Sequence, residues 1–174
     1  SDETAVKALG TTMDGYPVTF QLAQSFLAAC RFTISEWKAG RRLTDPGHIV
    51  IDRIAPHPRT RYSKPILLLV NELDFSGGDF FPTILQDNQR VTILGTNTAG
   101  AGGYVLNNSE ANLLGIEGFT VTGSIAERVT GNPVENLGVK ADVWYEMTEK
   151  DYRTGFGDYR KAILEGVEKI TAEE

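Results

Sequence analysis

Two short apolar runs on either side of residues 71–90 constrain the fold of this chain more than any other feature. They are "ILLLV" at 66–70 and "VTILG" at 91–95. Each run is continuous and bounded by turn residues, which is typical of a strand buried on both faces. The segment between them contains "GDFFPTIL", with apolar residues at helical spacing. The order strand, helix, strand predicts a parallel crossover and an α/β fold.

Pro82 indicates where that helix begins. Proline has no backbone N–H, and it is tolerated in the first turn of a helix because the N–H groups there are unpaired in any case. The helix is therefore expected to begin near Gly77 or Gly78. This start places Ser76 in the turn between the first strand and the helix.

A longer helical pattern precedes these elements. Apolar residues recur at steps of three and four from about Pro17 to Trp37, which predicts a helix with one buried face. Cys30 lies on that face, and we expect it to be a small core residue. Trp37 and Trp144 are expected in the core as well.

The remainder of the chain predicts two further strands and a closing helix. "FTVTGSIAERVT" and "ADVWYEM" alternate between apolar and polar residues, as strands or hairpin arms do. The segment "GTNTAGAGG" at 95–103 is a glycine-rich loop. "GDYRKAILEGVEKI" has helical spacing, and four of its residues are expected to face inward: Tyr159, Ile163, Val167 and Ile170.

Composition narrows the function classes. With 174 residues, 41% of them hydrophobic and 23% charged, the chain is expected to be one soluble globular domain. The net charge of −6 argues against nucleic acid as the main partner. The single cysteine excludes a disulfide within the chain, and we expect no metal site and no cofactor. We also expect no membrane span, and "SDETAVKALG" does not have the pattern of a signal peptide.

Ser76 has two interpretations at the level of local sequence. As a helix cap it would pair with Asp79, three residues on, in a capping arrangement that satisfies free N–H groups. As a nucleophile it would lie at the carboxyl end of a buried strand, where the amide of Gly77 could hold the oxyanion formed on attack at a carbonyl. The sequence is not the Gly-x-Ser-x-Gly pattern, and local sequence leaves both interpretations open.

A wider resemblance favours the nucleophile. The stretch "KPILLLVNELDFSGGDFFPTILQDNQRVTILGTNTAGAGGYV" resembles the catalytic core of the C-terminal processing, or tail-specific, serine peptidases. Six motifs are similar to a chlamydial branch of that family, from about Leu9 to Ile170: "LGTTMDGY", "APHPRTRYSKP", "DFSGGD", "TAGAGG", "TGSIAERV" and "ENLGV".

The resemblance implies a fold of the crotonase and Clp-protease type, built from stacked strand-strand-helix units, with residues 1–174 as the carboxyl-terminal part of a larger catalytic domain. It implies a secreted or extracytoplasmic bacterial serine endopeptidase that hydrolyses peptide bonds in a protein or peptide substrate. The expected partners are that substrate, the amino-terminal half of the same precursor and, in a homodimer, a second copy.

The resemblance also implies a set of site residues. Ser76 is the nucleophile and Glu135 of "NPVENLGV" is the acid of a Ser/His/Glu triad. The lysine base of most family members is replaced by Ala101, which excludes a Ser/Lys dyad. In a triad the histidine accepts the serine proton and the carboxylate orients the imidazole. The oxyanion and substrate site is expected to contain four glycines: Gly77, Gly78, Gly100 and Gly102.

The two histidines, His48 and His57, do not match the position of the family's base. We expect them to be exposed or locally hydrogen-bonded loop residues, and the catalytic histidine is expected from a segment upstream of residue 1. Glu72 and Asp74 precede Ser76 and are expected to be solvated carboxylates.

Two other function classes stay open. One is a catalytically inactive module that binds a peptide or another ligand on the same fold, as retinoid-binding repeats do. The other is a hydratase or thioester enzyme, which would need a nucleotide-binding surface that the acidic balance does not favour.

Overall fold

The computed structural model of this chain describes residues 1–13, 15–48, 57–109 and 113–172. They form two compact units, residues 1–61 and 62–174. Asp14 of "LGTTMDGY" and residues 55–56 of "APHPRTRYSKP" lie outside the described residues. The expectation that residues 1–174 belong to one catalytic domain stays a prediction.

The first unit contains two helices and a short hairpin. Helix α1 (Asp2–Leu9) is followed by strands β1 (Thr12–Met13) and β2 (Tyr16–Pro17), which pair antiparallel, and by helix α2 (Phe20–Lys38). Helix α2 begins after Thr19, whose hydroxyl accepts a hydrogen bond from the Leu22 amide at 3.1 Å. The long helix predicted here is confirmed. Among the described residues, no helix is long and apolar enough to cross a membrane.

The buried face expected on α2 is not observed. No residue of α2 is buried, Cys30 is exposed, and 78% of the Trp37 side chain is accessible to solvent. Within this unit α2 packs against α1. Helix α1 has 8 residues and α2 has 19, so α1 is too short to cover an apolar stripe along the whole of α2. Apolar periodicity identifies a face that can be buried, but not the surface that covers it.

The second unit is built on a parallel sheet. Strand β3 (Leu67–Val70) leads through helix α3 (Gly77–Asp87) into strand β4 (Thr92–Gly95), and β3 pairs with β4 in parallel, with Leu67 opposite Thr92. The predicted crossover is confirmed. Pro82 is the sixth residue of α3 and lies beyond its first turn, so it removes one bond of the helix.

The later elements extend and flank this sheet. Strands β5 (Val105–Asn108) and β6 (Phe119–Thr122) form a separate antiparallel hairpin. Strand β7 (Val143–Trp144) pairs in parallel with β4, which gives the sheet order β3-β4-β7. The chain continues with helices α4 (Glu149–Arg153) and α5 (Gly157–Ala172).

The core lies around β4, where Ile93 and Leu94 are fully buried. Ile93 clusters with Val70 and Val139. Leu94 and Leu67 face α5, which approaches closely at Gly166: a Cβ there would lie 2.9 Å from a methyl group of Leu67.

Three expectations about burial in this unit are wrong. Strand β3 is not buried on both faces, since Leu69 is exposed. Trp144 is exposed because it lies on β7, at the edge of the described sheet. In α5, Val167 is exposed, and the other three residues expected to face inward are half-buried.

Two loops in this unit are in direct backbone contact. The amide of Asn136 donates to the carbonyl of Gly100 at 2.8 Å, and the amide of Thr98 donates to the carbonyl of Val139 at 3.1 Å. Gly100 has φ of +73°, and a Cβ there would lie 2.8 Å from the nitrogen of Gly138. Only glycine fits this approach, because a side chain would meet backbone atoms.

We expect Gly100→Ala to destabilise the protein more than Gly131→Ala. Both glycines have similar positive φ, +73° and +78°, so both variants share the cost of about 1–2 kcal/mol for an L-residue in the left-handed region. Only at Gly100 does the new methyl group meet backbone within 4 Å. Urea unfolding of the two variants in the full-length protein measures the difference, and equal losses would contradict the close packing of these loops.

A buried carboxylate joins β7, α4 and α5. Asp151 is fully buried and accepts hydrogen bonds from the amide and hydroxyl of Thr148, the hydroxyl of Tyr145 and the amide of Tyr159. The bond from the Thr148 amide is the main reason that the pKa of Asp151 is lowered. The pKa of Tyr145 is raised to about 12, mainly by burial and next by its hydrogen bond to Asp151.

The contribution of Asp151 to stability should therefore depend on pH. A carboxyl group whose pKa is lower in the folded state stabilises that state above its unfolded pKa, and the stabilisation is lost as the pH falls through the folded pKa. We expect the difference in unfolding free energy between wild type and Asp151→Asn to be largest near neutral pH and to shrink below about pH 4. Urea unfolding at several pH values measures it.

Glu149→Gln is the matched control for this prediction, because Glu149 lies in the same helix with an exposed side chain. It should change stability little at any pH. A loss in Asp151→Asn that stays constant from pH 7 to pH 3 would show that the ionised carboxylate is not what stabilises this cluster.

Candidate active site

Ser76 lies between the end of β3 and the start of α3, with an exposed side chain. Its backbone has φ of 55° and ψ of −114°, a region that a residue with a side chain rarely adopts. Such a conformation costs about 1–3 kcal/mol and persists only where the surroundings hold it. Here the Ser76 amide donates to the carbonyl of Ala101 at 3.0 Å, and the Ser76 carbonyl accepts from the amides of Asp79 and Phe80.

The capping interpretation of Ser76 and Asp79 is wrong. The Ser76 hydroxyl makes no capping hydrogen bond. A capping residue normally has extended backbone, which directs its side chain over the first amides of the helix, and Ser76 does not have that conformation. Asp79 is fully buried, and its carboxylate accepts from the 98–101 loop instead of from the start of α3.

The amide of Gly77 is the free donor beside Ser76. Among the described residues none accepts a hydrogen bond from it, whereas the amide of Gly78 donates to the carbonyl of Phe75 at 2.8 Å. The first amides of a helix have no partner within the helix, and the positive end of the helix dipole lies beside them. This end of α3 can therefore stabilise a negatively charged oxygen that forms next to Ser76.

Asp79 is the residue whose role sequence reasoning missed. Its Oδ1 accepts from the Thr98 hydroxyl at 2.5 Å and from the Gly100 amide at 2.9 Å, and its Oδ2 accepts from the Ala101 amide at 2.8 Å. No local signal in the sequence marks this role, because the donors lie about twenty residues further along the chain.

Glu135 lies in the turn that precedes Val139, and it is half-buried. Its Oε1 lies 3.4 Å from the Thr122 hydroxyl. Its Oε2 is buried and has no hydrogen-bond partner among the described residues. A buried carboxylate oxygen without a donor is unfavourable and uncommon, so this atom calls for a functional or structural explanation.

The glycine-rich loop brings Ser76 and Glu135 to neighbouring positions. Ala101 accepts from the Ser76 amide, and Glu135 Oε1 lies 3.0 Å from the place that a Cβ on Gly103 would take. These two contact points are separated by one residue, Gly102, and two residues of chain span at most ~7 Å. The backbone of Ser76 and the carboxylate of Glu135 therefore contact one short segment of chain.

The other expected glycines have different places in this loop. Gly100 is buried and its amide is engaged by Asp79. Gly102 is also buried, and a Cβ there would lie 3.0 Å from the side chain of Val134. Their main role in the described structure is to allow close packing.

Both histidines of the chain, His48 and His57, are exposed loop residues. His57 is exposed, and its Nδ1 accepts from the amides of Arg59 and Thr60, at 3.3 and 2.9 Å. The expected locally hydrogen-bonded loop histidine is confirmed at this position. His48 is exposed, as expected.

Glu72 is exposed, as expected of a solvated carboxylate, whereas Asp74 is half-buried, and both also accept hydrogen bonds. Glu72 accepts from the Thr96 hydroxyl at 2.6 Å, and this bond lowers the pKa of Glu72. Asp74 accepts from the Asn71 amide through its carboxylate and from the Ala99 amide through its carbonyl. Both residues fasten the segment before Ser76 to the strand and loop that follow α3.

Known proteins match this chain over nearly all its length. A protein of Chlamydia muridarum and one of Chlamydia trachomatis are each 41% identical over 169 residues, which is 95% of this chain and 28% of each relative. The structure of mature CPAF, the chlamydial protease-like activity factor, is 38% identical with a TM-score of 0.81. The match covers 100% of this chain and 34% of that chain, so this chain spans about a third of it.

A structure of mature CPAF complexed with lactacystin matches equally well, with a TM-score of 0.80. The family model described as peptidase family S41 matches residues 21–145. That range contains the β3-α3-β4 crossover, Ser76, the glycine-rich loop and Glu135. Because the match extends over most of the chain, the chain belongs to peptidase family S41 and has the α/β fold of that family.

Proposed function

We propose that this chain carries the nucleophile and the orienting acid of a serine endopeptidase of the tail-specific type. The observation that carries the proposal is the strained and exposed Ser76 beside the free amide of Gly77 at the start of α3. Membership of peptidase family S41 supports it. The proposed substrate is a peptide segment of a protein.

In the proposed reaction, the Ser76 oxygen attacks the carbonyl carbon of the peptide while a histidine accepts the serine proton. The Gly77 amide and the dipole of α3 stabilise the oxyanion. The histidine then protonates the leaving amine, and water hydrolyses the acyl-enzyme. Of the expected glycines we assign the donor role to Gly77, because it follows Ser76 directly at the start of α3 and its amide is free, whereas the amides of Gly78 and Gly100 are already bonded.

Glu135 is proposed to orient that histidine. Its buried Oε2 has no donor among the described residues, which suits an acceptor for an imidazole N–H. The base itself is proposed to come from a part of the protein outside this chain, since Nδ1 of His57 already accepts from its own turn. No metal ion or cofactor takes part in this scheme.

The amino-terminal half of the protein is the proposed partner of this chain, which would form the carboxyl-terminal part of the catalytic domain. The hairpin β5–β6 supports this, because its cross-strand register places three exposed apolar residues on one face: Leu106, Phe119 and Val121. A hairpin of two strands is marginally stable in water and needs a covering surface. A secreted or extracytoplasmic location and a homodimer belong to the same proposal.

We expect Ser76→Ala to abolish labelling of the full-length protein by a fluorophosphonate probe, which reacts only with an activated serine. Ser63→Ala is the matched control and should label normally, since Ser63 is an exposed serine outside the site. If the wild-type protein is not labelled at Ser76, the peptidase proposal is wrong and the binding-module alternative is favoured.

Glu135→Gln should lower turnover of an unfolded protein substrate by about four orders of magnitude, because an amide does not stabilise the imidazolium as a carboxylate does. Glu127→Gln is the control, since Glu127 is an exposed glutamate in the same loop region. Steady-state cleavage by the full-length variants measures the effect. Equal rates in the two variants would remove Glu135 from the triad.

The isolated 174-residue chain should have almost no peptidase activity, because it does not supply the proposed base and the serine hydroxyl is then a poor nucleophile. Adding the amino-terminal half should restore both cleavage and labelling at Ser76. A side-by-side assay of the chain alone, the reassembled pair and the pair carrying Ser76→Ala tests this. Robust turnover by the chain alone would show that the base lies within it.

A further inference from the structure

Three donors converge on the buried carboxylate of Asp79, and all belong to the 98–101 loop. They are the Thr98 hydroxyl and the amides of Gly100 and Ala101. The Thr98 oxygen also accepts from the Val139 amide at 2.7 Å, so its hydrogen is directed to Asp79. The carboxylate therefore fixes the orientation of the whole loop and not of a single residue.

The carbonyls of Gly100 and Ala101 in turn accept hydrogen bonds from the two segments that carry the proposed catalytic residues. The carbonyl of Ala101 accepts from the Ser76 amide at 3.0 Å. The carbonyl of Gly100 accepts from the amide of Asn136, the neighbour of Glu135, at 2.8 Å. The Asp79 carboxylate thus holds Gly100 and Ala101. Ala101 holds the segment of Ser76, and Gly100 holds the segment of Glu135.

We propose that Asp79 is a positioning residue that holds Ser76 and Glu135 in register through the backbone of Gly100 and Ala101. This inference rests on the proposed peptidase function. The strained backbone of Ser76 supports it, because such a conformation needs surroundings that hold it. The bond from its amide to Ala101 is one of those restraints, and Asp79 fixes Ala101.

The chemistry of the site requires a carboxylate. An ionised aspartate is an acceptor only, whereas an asparagine of the same shape presents one oxygen and one NH₂ donor. With its oxygen toward Thr98 and Gly100, the asparagine directs its NH₂ group at the Ala101 amide, which is itself a donor. Asp79→Asn should therefore loosen the Ala101 side of the network, the side that holds Ser76.

The test uses the full-length protein and follows the time course of fluorophosphonate labelling together with steady-state cleavage. We expect Asp79→Asn to lower the labelling rate constant and kcat by ~10²-fold with a smaller change in KM, since a displacement of about 1 Å has an effect of that size. Loss of stability alone would lower the fraction of protein that labels, but not the rate constant of the folded fraction.

Asp151→Asn is the matched control, because Asp151 is an equally buried carboxylate with several donors, none of them in the 98–101 loop. It should lose stability and keep the wild-type rate constant. A wild-type rate constant in Asp79→Asn would overturn the proposal. An equal fall in rate constant in both variants would overturn it too.

A second pair of variants, at Thr98, tests the proposal if Asp79→Asn does not fold. Thr98→Val removes the hydroxyl that joins Asp79 to the loop, whereas Thr98→Ser retains it. We expect a lower labelling rate constant in Thr98→Val and recovery in Thr98→Ser, and equal rates would overturn the proposal. Absence of labelling in the wild-type protein would instead refute the peptidase function itself.

Discussion

The parallel pairing of β3 with β4 is the interaction on which the rest of this site depends. In a parallel pair both strands end at the same edge of the sheet, so the segments that follow them meet there. The segment after β3 contains Ser76, and the segment after β4 is the glycine-rich loop. Residues 74–76 and 99–101 are distant in sequence, yet they exchange backbone hydrogen bonds between Asp74 and Ala99 and between Ser76 and Ala101.

The glycine-rich loop fixes the segments at the strand ends relative to one another. It is joined to the turn of residues 134–139 by backbone bonds and to α3 by the Asp79 carboxylate. Glycine is required where the backbones touch, and at Gly103 it leaves room for the carboxylate of Glu135. The loop is therefore a junction of three segments, in which main-chain groups do most of the bonding and side chains are few.

The exposed apolar surface is the second general feature of this chain. It includes residues of α2 and of the hairpin, together with Leu69 of β3, Trp144 of β7 and Val167 of α5, and it contains most of the residues that were expected to be buried but are exposed. Such surfaces on a chain that spans about a third of its structural relative are those that a neighbouring part of the same protein can cover. The same reasoning supports the proposed catalytic centre, in which Ser76 and Glu135 lie on this chain and the base lies elsewhere in the protein.

The sequence by itself determined the order of the main elements, the start of α3 near Gly77 or Gly78 and the place of Ser76 in the turn before it. These features depend on local periodicity and on short-range turn chemistry, both of which can be read along the chain. The family resemblance added Glu135, which no local pattern distinguishes from a surface glutamate. Cys30 and Trp37 were assigned to a core because periodicity shows which face is apolar, but not what covers it.

Only the tertiary structure decided the role of Asp79, since a cap and a buried acceptor have the same spacing from Ser76. The choice depended on the backbone of Ser76, whose hydroxyl makes no capping hydrogen bond, and on the 98–101 amides that reach the Asp79 carboxylate from about twenty residues away. Contacts between segments so distant in sequence depend on how the strands pair and where their ends meet. That information is a property of the folded backbone and is absent from any local stretch of the chain.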